Sequence, residues 1–136
     1  MFNKILVAVD PSFDDRQEEA LATARKLASD TLAEITALTV LEPMPGHLSV
    51  EVDHDTKVEA ADNAATALRD RLGGASEIRV FVRHGKAAHE IIEHATENDV
   101  DCIIVASHRP GLSDYFIGST ASRVVRHAPC TVVVLR

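Results

Sequence analysis

The stretch ASHRPGLSDYFIGSTASRVVRHAPCTVVVLR, residues 106–136, decides the fold. An apolar run ends at Ala106 and enters a polar, basic loop, which leads through Gly118-Ser119-Thr120 into a helical segment. A second apolar run follows that helix. Because a helix N-terminus offers free backbone N–H groups and a positive dipole end, it is a ready binding site for an anion. The stretch therefore predicts a strand–loop–helix–strand unit that binds a phosphate or nucleotide ligand.

Upstream of this stretch, the chain alternates apolar runs with segments of helical periodicity. The predicted strands are Ile5–Asp10, Ile35–Leu41, Ile78–Val82, Cys102–Ala106 and Thr131–Leu135. The predicted helices are Arg16–Ser29, Asp53–Leu72, Lys86–Glu97 and Ser119–His127. Strands that alternate with helices are typical of an α/β fold with a parallel sheet flanked by helices. The 136 residues show no internal repeat, so we expect one domain, residues 1–136.

Ligands of open parallel sheets bind at the carboxyl ends of the strands, where the strand order reverses. The residues at the first four strand ends are Asp10, Val40 with Leu41, His84 with Gly85, and Ala106 to Arg109. We expect these four points to converge on one crevice. For Asp10 the alternative is a turn or helix-capping acid, and for Ser119 it is a residue that only caps the last helix.

The composition excludes several classes of partner. The chain has 14 Lys and Arg against 21 Asp and Glu, a net charge of −7, which disfavours binding to nucleic acid or to an anionic membrane. Aromatic residues make up 4% and Trp is absent, so stacking on single-stranded nucleic acid is not expected. An anionic ligand then needs a local positive site, to which Arg109 contributes.

The first residues and the cysteines indicate a cytoplasmic protein. Met1 to Lys4 lead directly into a short apolar run closed by Asp10, which is too short for a signal peptide or a membrane span. Cys102 and Cys130 do not form a CxxC pair, and we interpret them as buried, reduced thiols.

Other familiar chemistry is not supported by the sequence. It contains neither GxxxxGK[ST] nor a GxGxxG after the first strand. His89 and His94 lie five residues apart, about 140° around a helix, so a solvated helix face is favoured over a shared metal. The sequence does not reveal a nucleophile paired with a base, because the adjacency of Ser107 and His108 does not establish that their side chains are in contact. We therefore expect a binding protein without catalytic residues or a metal site.

Several stretches resemble the universal stress protein family, and specifically its F/G-type subgroup. They are Val7–Asp10, Leu38–Val40, Gly85, Ile103–His108, Gly118–Ala121 and Val124–Val134. The family pattern in nucleotide-binding members is Gly, two residues, Gly, nine residues, Gly, then Ser or Thr. Here Ala106 stands in place of the first Gly, and eight residues separate Arg109 from Gly118.

The resemblance implies a Rossmann-like fold, of the adenine nucleotide alpha hydrolase type, with strand order 3-2-1-4-5. It implies an ATP or AMP site, with Mg²⁺ held through the phosphates as an option. On the nucleoside side it places Asp10 at the ribose or adenine and the Val40 backbone at the adenine edge. Gly85 would border the pocket after the third strand. Around the phosphates it places Ala106, Ser107, His108, Arg109, Gly118, Ser119 and Thr120.

The last strand, Thr131–Leu135, should lie at a sheet edge with unpaired backbone groups. The resemblance implies that it pairs with its mate in a second subunit, giving a homodimer, with a tetramer as the alternative. The function implied is nucleotide binding in stress response or signalling. A nucleotide-free dimeric interaction module and a slow ATP hydrolase are the alternatives.

Overall fold

The computed structural model describes residues 1–12, 15–43, 53–75, 77–107 and 117–136. The strands are β1 (Lys4–Ala8), β2 (Glu34–Leu41), β3 (Ile78–His84), β4 (Cys102–Ala106) and β5 (Thr131–Leu135). The helices are α1 (Asp15–Ala28), α2 (His54–Arg71), α3 (Ala87–Glu97) and α4 (Ser119–His127). These elements are the ones predicted from the sequence, with ends that differ by at most two residues.

The five strands form one parallel sheet in the order β3-β2-β1-β4-β5, which confirms the expected fold class and strand order. At the centre, Val7 of β1 lies opposite Ala37 of β2 on one side and opposite Ile104 of β4 on the other. The chain builds outward from β1 to β2 and β3, then crosses back to place β4 on the opposite side of β1. The strand order therefore reverses between β1 and β4, which is where a ligand crevice is expected.

Alternate side chains of the sheet enter two separate cores. On one face, Ile5, Val7 and Ile104 pack with the small residues Ala20 and Ala24 of α1. Short alanine side chains let a helix approach the sheet closely. Because successive residues of a strand point to opposite faces, a strand buried on both sides reads as the continuous apolar run seen from Ile5 to Val9.

On the other face, Leu6 and Ile103 pack with Ile91 of α3 and with Ala121 and Val124 of α4. Leu6, Ile103 and Val124 are completely buried. The first turn of α4 is thus anchored by Ala121, which is 3% exposed, directly beside the end of β4. This packing fixes the position of the α4 N-terminus.

Two strand ends differ from the sequence prediction for local reasons. β1 ends at Ala8 rather than Asp10, although the Val9 N–H still donates to the Leu38 carbonyl at 2.8 Å. At Asp10 the chain turns instead, because the carboxylate accepts hydrogen bonds from Ser12. β3 continues to His84 rather than Val82, since Arg83 and His84 pair with the last two residues of β2.

His94 corrects an expectation. We predicted a solvated helix face for His89 and His94, and His89 is exposed, but His94 is only 5% exposed. Its ring lies 5.1 Å from the Phe81 ring, measured between centroids. Burial lowers the pKa of His94, and the nearby Arg83 guanidinium lowers it further.

Both cysteines are free thiols, as expected. Cys102 is fully buried in β4, and Cys130 is partly buried before β5. Burial raises the pKa of the Cys102 thiol to about 11, so it stays protonated at neutral pH. In the described ranges, no helix combines the length and the apolar character needed to cross a membrane.

Candidate functional site

A crevice of about 410 Å³ opens at the carboxyl ends of β1, β2 and β4. It lies at the reversal of strand order between β1 and β4. Its apolar wall is formed by Ala8, Leu38, Ile91 and Val105. Its polar rim includes Asp10, Gln17, Glu42, Ser119 and Thr120. A cleft that combines an apolar wall with a few convergent polar groups is a usual form of a small-molecule site.

The N-terminus of α4 forms one end of the crevice. Gly118 is the N-cap residue, and Ser119, Thr120 and Ala121 form the first turn. The backbone N–H groups of Ser119, Thr120 and Ala121 have no partner inside the helix, and among the described residues no side chain accepts from them. Ser119 is the first helical residue, so the alternative that it serves as the helix cap is wrong. The turn presents a cluster of N–H donors to the crevice.

Ser107 fixes the position of that turn. Its hydroxyl accepts a hydrogen bond from the Gly118 N–H at 3.1 Å, and its own N–H donates to the Leu135 carbonyl at 2.7 Å. Its carbonyl accepts from the Arg16 guanidinium. Ser107 is 7% exposed and does not line the crevice. It joins the end of β4 to α1, β5 and α4.

Asp10 lines the crevice beside the start of α1. Its Oδ1 accepts hydrogen bonds from the Ser12 N–H at 2.9 Å and from the Ser12 hydroxyl at 2.7 Å. Its N–H donates to Gln17 Oε1 at 3.4 Å. Asp10 therefore has the turn-forming role that was its alternative interpretation, and it faces the crevice as well.

The end of β2 contributes Val40 and Glu42 to the crevice. Val40 is 8% exposed. The Glu42 carboxylate accepts a hydrogen bond from the Ala87 N–H at 2.9 Å, so it caps α3, whose own N-cap residue Lys86 makes no side-chain cap. Sequence reasoning missed Glu42 because it was assigned to the following loop. The available signal was an acid directly after a buried strand.

Gly85 lies at the turn between β3 and α3 and is not part of the crevice lining. Its φ of +146° is a conformation that other residues rarely adopt. A Cβ at this position would lie 2.8 Å from Glu90 Cγ, and Glu90 is held by Arg83 at 3.4 Å. The glycine is thus required by the backbone turn.

Of the ten predicted site residues, the crevice brings together Asp10, Val40, Ala106, Gly118, Ser119 and Thr120. Gly85 and Ser107 lie outside the lining. Ser107 directly follows Ala106 in the chain, and the Gly85 N–H donates to the carbonyl of Leu41, the residue after Val40. His108 and Arg109 are outside the described residues. Three of the four strand ends therefore converge as expected, and the end of β3 does not.

The described ranges contain no group of three or more His, Cys, Asp and Glu residues that could hold a metal ion. Two carboxylates, Asp10 and Glu42, lie on the β1 and β2 side of the crevice, and the N–H groups of α4 lie on the β4 side. The crevice can therefore accept hydrogen bonds from a ligand at one end and donate them to an anionic group at the other.

Comparison with protein families matches residues 1–136 to the universal stress protein family. Universal stress protein YxiE of Bacillus subtilis (strain 168) is 30% identical over 150 residues, covering all of both chains. Universal stress protein G of Shigella flexneri is 27% identical over 146 residues, again covering both chains fully.

The fold also matches that of a solved universal stress protein in complex with cAMP. The TM-score is 0.69 and the sequence identity 20%, with 99% of this chain and 97% of that chain covered. At this sequence identity, the structural similarity between the two proteins shows that they share a fold.

Proposed function

We propose that this chain, which belongs to the universal stress protein family, binds an adenine nucleotide, ATP or AMP, in the crevice. The proposal is supported above all by the first turn of α4, where the N–H groups of Ser119 to Ala121 face a cleft with an apolar wall and are not accepted by any described side chain. Such a turn suits a phosphate, and the apolar wall suits a flat base. The family relative that was solved with cAMP supports the same ligand class.

The geometry suggests a role for each side of the crevice. We assign the phosphates to the N–H groups of Ser119, Thr120 and Ala121, with Ala106 beside them. We assign the adenine edge to the backbone of Val40 and the ribose or base to the carboxylate of Asp10. His108 and Arg109 keep the role implied by the resemblance, as additional phosphate contacts. Mg²⁺, if it accompanies the nucleotide, would be held through the phosphates.

Titration calorimetry with ATP and with AMP tests the proposal. Ser119→Glu places a carboxylate at the helix start, where it favours the helix but repels a phosphate. We expect this repulsion to lower nucleotide affinity about tenfold or more, which is a loss of about 1.4 kcal/mol or more of binding free energy. Ser119→Gln has a similar size without the charge and serves as the control. An absence of heat from the folded wild type at millimolar nucleotide with Mg²⁺ would refute the proposal.

We further propose a binding protein rather than an enzyme. In the described part of the crevice both carboxylates have structural roles, since Asp10 holds the turn at Ser12 and Glu42 holds the start of α3. The alternative, slow ATP hydrolysis, is tested by phosphate release. Release that disappears in Ser119→Glu would favour the hydrolase, and equal trace release in both proteins would indicate a contaminant.

A homodimer through β5 is our proposal for the assembly. β5 pairs only with β4 among the described strands, and Val132, Val133, Val134 and Leu135 are each only partly buried. Pairing with a second β5 would satisfy the edge and bury these side chains. Light scattering should give twice the 14.7 kDa chain mass. Val134→Lys should release folded monomers; a tetramer is the alternative outcome, and a wild-type monomer at micromolar concentration would refute the proposal.

The cellular role that we propose is a stress response or signalling function exerted in the cytoplasm. Family membership supports the role. The free thiols of Cys102 and Cys130 support the compartment, because reduced cysteines are typical of cytoplasmic proteins. Fractionation of cells that express the tagged protein would test the location.

A further inference from the structure

Two helix N-termini reach the crevice, and they differ in charge. At α3, the Ala87 N–H donates to the Glu42 carboxylate at 2.9 Å, and both residues line the crevice. At α4, the N-cap is Gly118, whose N–H donates to the uncharged Ser107 hydroxyl, and within the described ranges no carboxylate caps the turn. A carboxylate thus offsets the positive end of α3, and that of α4 stays open.

The position of Glu42 follows from the path of the backbone. The Leu41 carbonyl accepts a hydrogen bond from the Gly85 N–H at 3.1 Å, which holds the turn between β3 and α3 against the end of β2. Glu42 comes directly after Leu41, and Ala87 comes two residues after Gly85. The same pairing that extends the sheet therefore brings the carboxylate to the first turn of α3.

We propose that Glu42 is a specificity-determining residue that sets the direction of the nucleotide in the crevice. Its negative charge excludes phosphate from the α3 end, so the phosphates lie at α4. The nucleoside, which is uncharged and carries amine and hydroxyl donors, lies at the β2 end. The inference rests on the proposed nucleotide function and adds to it a cause for the ligand's orientation.

The electrostatics of the neighbouring strand end act in the same direction. Asp10 adds a second carboxylate on the β1 side, and the wall between the two acids is apolar. A phosphate at this end would meet like charge from both acids. A hydroxyl or amine at this end can instead donate to a carboxylate oxygen.

A purely structural role for Glu42 would be limited to capping α3, and two substitutions separate the roles. Glu42→Gln keeps an amide oxygen that can accept from the Ala87 N–H but removes the charge. Glu42→Ala removes both the charge and the cap. Glu59→Gln, on the exposed surface of α2 and outside the crevice lining, makes the same change in net charge and is the matched control.

Backbone amide signals of ¹⁵N-labelled protein, followed during titration with inorganic phosphate and separately with AMP, test the inference. In the wild type and in Glu59→Gln, we expect phosphate to shift the amides of Ser119 to Ala121 and to leave Ala87 unchanged. In Glu42→Gln and Glu42→Ala, phosphate should also shift Ala87, with the larger response in the alanine variant. The apparent phosphate affinity at Ala87 should rise at least threefold over the wild type.

A phosphate response at Ala87 in the wild type overturns the inference. So does a response confined to residues 119–121 in both Glu42 variants, or no response to phosphate in any protein. The AMP titration reports on the proposed function separately. If phosphate shifts the amides as expected but AMP binds no more tightly than phosphate, the electrostatic role of Glu42 stands and nucleotide binding fails.

Discussion

Ser107→Ala removes the hydroxyl that joins the end of β4 to the start of α4. In the wild type this hydroxyl accepts the Gly118 N–H at 3.1 Å, and Ser107 is 7% exposed. Alanine is smaller by one atom and cannot accept, so the Gly118 N–H loses its partner. The cavity is negligible, and the effect therefore measures the hydrogen bond.

The size of the effect follows from the surroundings of the two groups. A buried donor left unpaired costs about 1–3 kcal/mol. Gly118 is only half-buried, so water can replace part of the lost bond, and we expect about 1 kcal/mol. For a domain of this length, that free energy corresponds to a fall in Tm of about 3–5 °C. If the same bond positions the α4 turn for phosphate, AMP affinity should fall by about fivefold.

Urea unfolding and AMP titration measure the two effects on the same samples. Ser107→Thr keeps a hydroxyl and should restore much of both. Ser29→Ala removes an exposed hydroxyl at the end of α1 and should change the free energy of unfolding by less than about 0.5 kcal/mol. Unfolding of Ser107→Ala at the wild-type urea concentration, or a fall in stability with AMP affinity unchanged, would contradict this role of Ser107.

Three further substitutions test the core, a turn and a titrating group. Leu6→Ala, at a position that is fully buried between β2 and β4, should lower the free energy of unfolding in urea by about 2–5 kcal/mol, and a change under 1 kcal/mol would contradict the core assignment. Gly85→Ala should lower the free energy of unfolding by about 1–3 kcal/mol, because φ is +146° and the new Cβ would contact Glu90. A variant with the thermal stability of the wild type would contradict this strain. The pKa of His94 is lowered from 6.5 in the folded protein, so its contribution to stability is present above pH 6.5 and is lost as the pH falls. His94→Gln should therefore lose less stability than the wild type between pH 7 and 5, and equal losses in urea titrations would contradict this.

The strands could be predicted from sequence because burial on both faces leaves continuous apolar runs, as in Ile5 to Val9. The order of the strands came from the resemblance and was confirmed. The α4 turn was predictable because Gly118-Ser119-Thr120 is local in sequence. The support of this turn by Ser107 was not predictable, because the hydrogen bond from the Gly118 N–H to the Ser107 hydroxyl joins residues 11 apart and depends on how the chain folds back.

Contacts between segments that are distant in sequence explain why Glu42, too, was not predicted as a site residue. Glu42 caps α3 across 45 residues, a relation that no sequence window contains. His94 is different, because the signal was present: it lies three residues after Ile91 and beside Ala95, on the apolar stripe of α3. The five-residue spacing of His89 and His94 bears only on metal binding, whereas the spacing of His94 from Ile91 and Ala95 predicts its burial.

The hydrogen bond between Ser107 and Gly118 also bears on how the family can diversify. It clamps the two ends of the intervening segment, so the segment's length is decoupled from the position of α4. Adding one residue to a closed segment of about ten changes its closure entropy by only roughly 0.1 kcal/mol. Insertions and deletions between these two anchors, such as the one-residue difference from the family pattern, can therefore accumulate at little cost. Evolution can change the sequence between the two anchors while Ser107, Gly118 and α4 keep their positions.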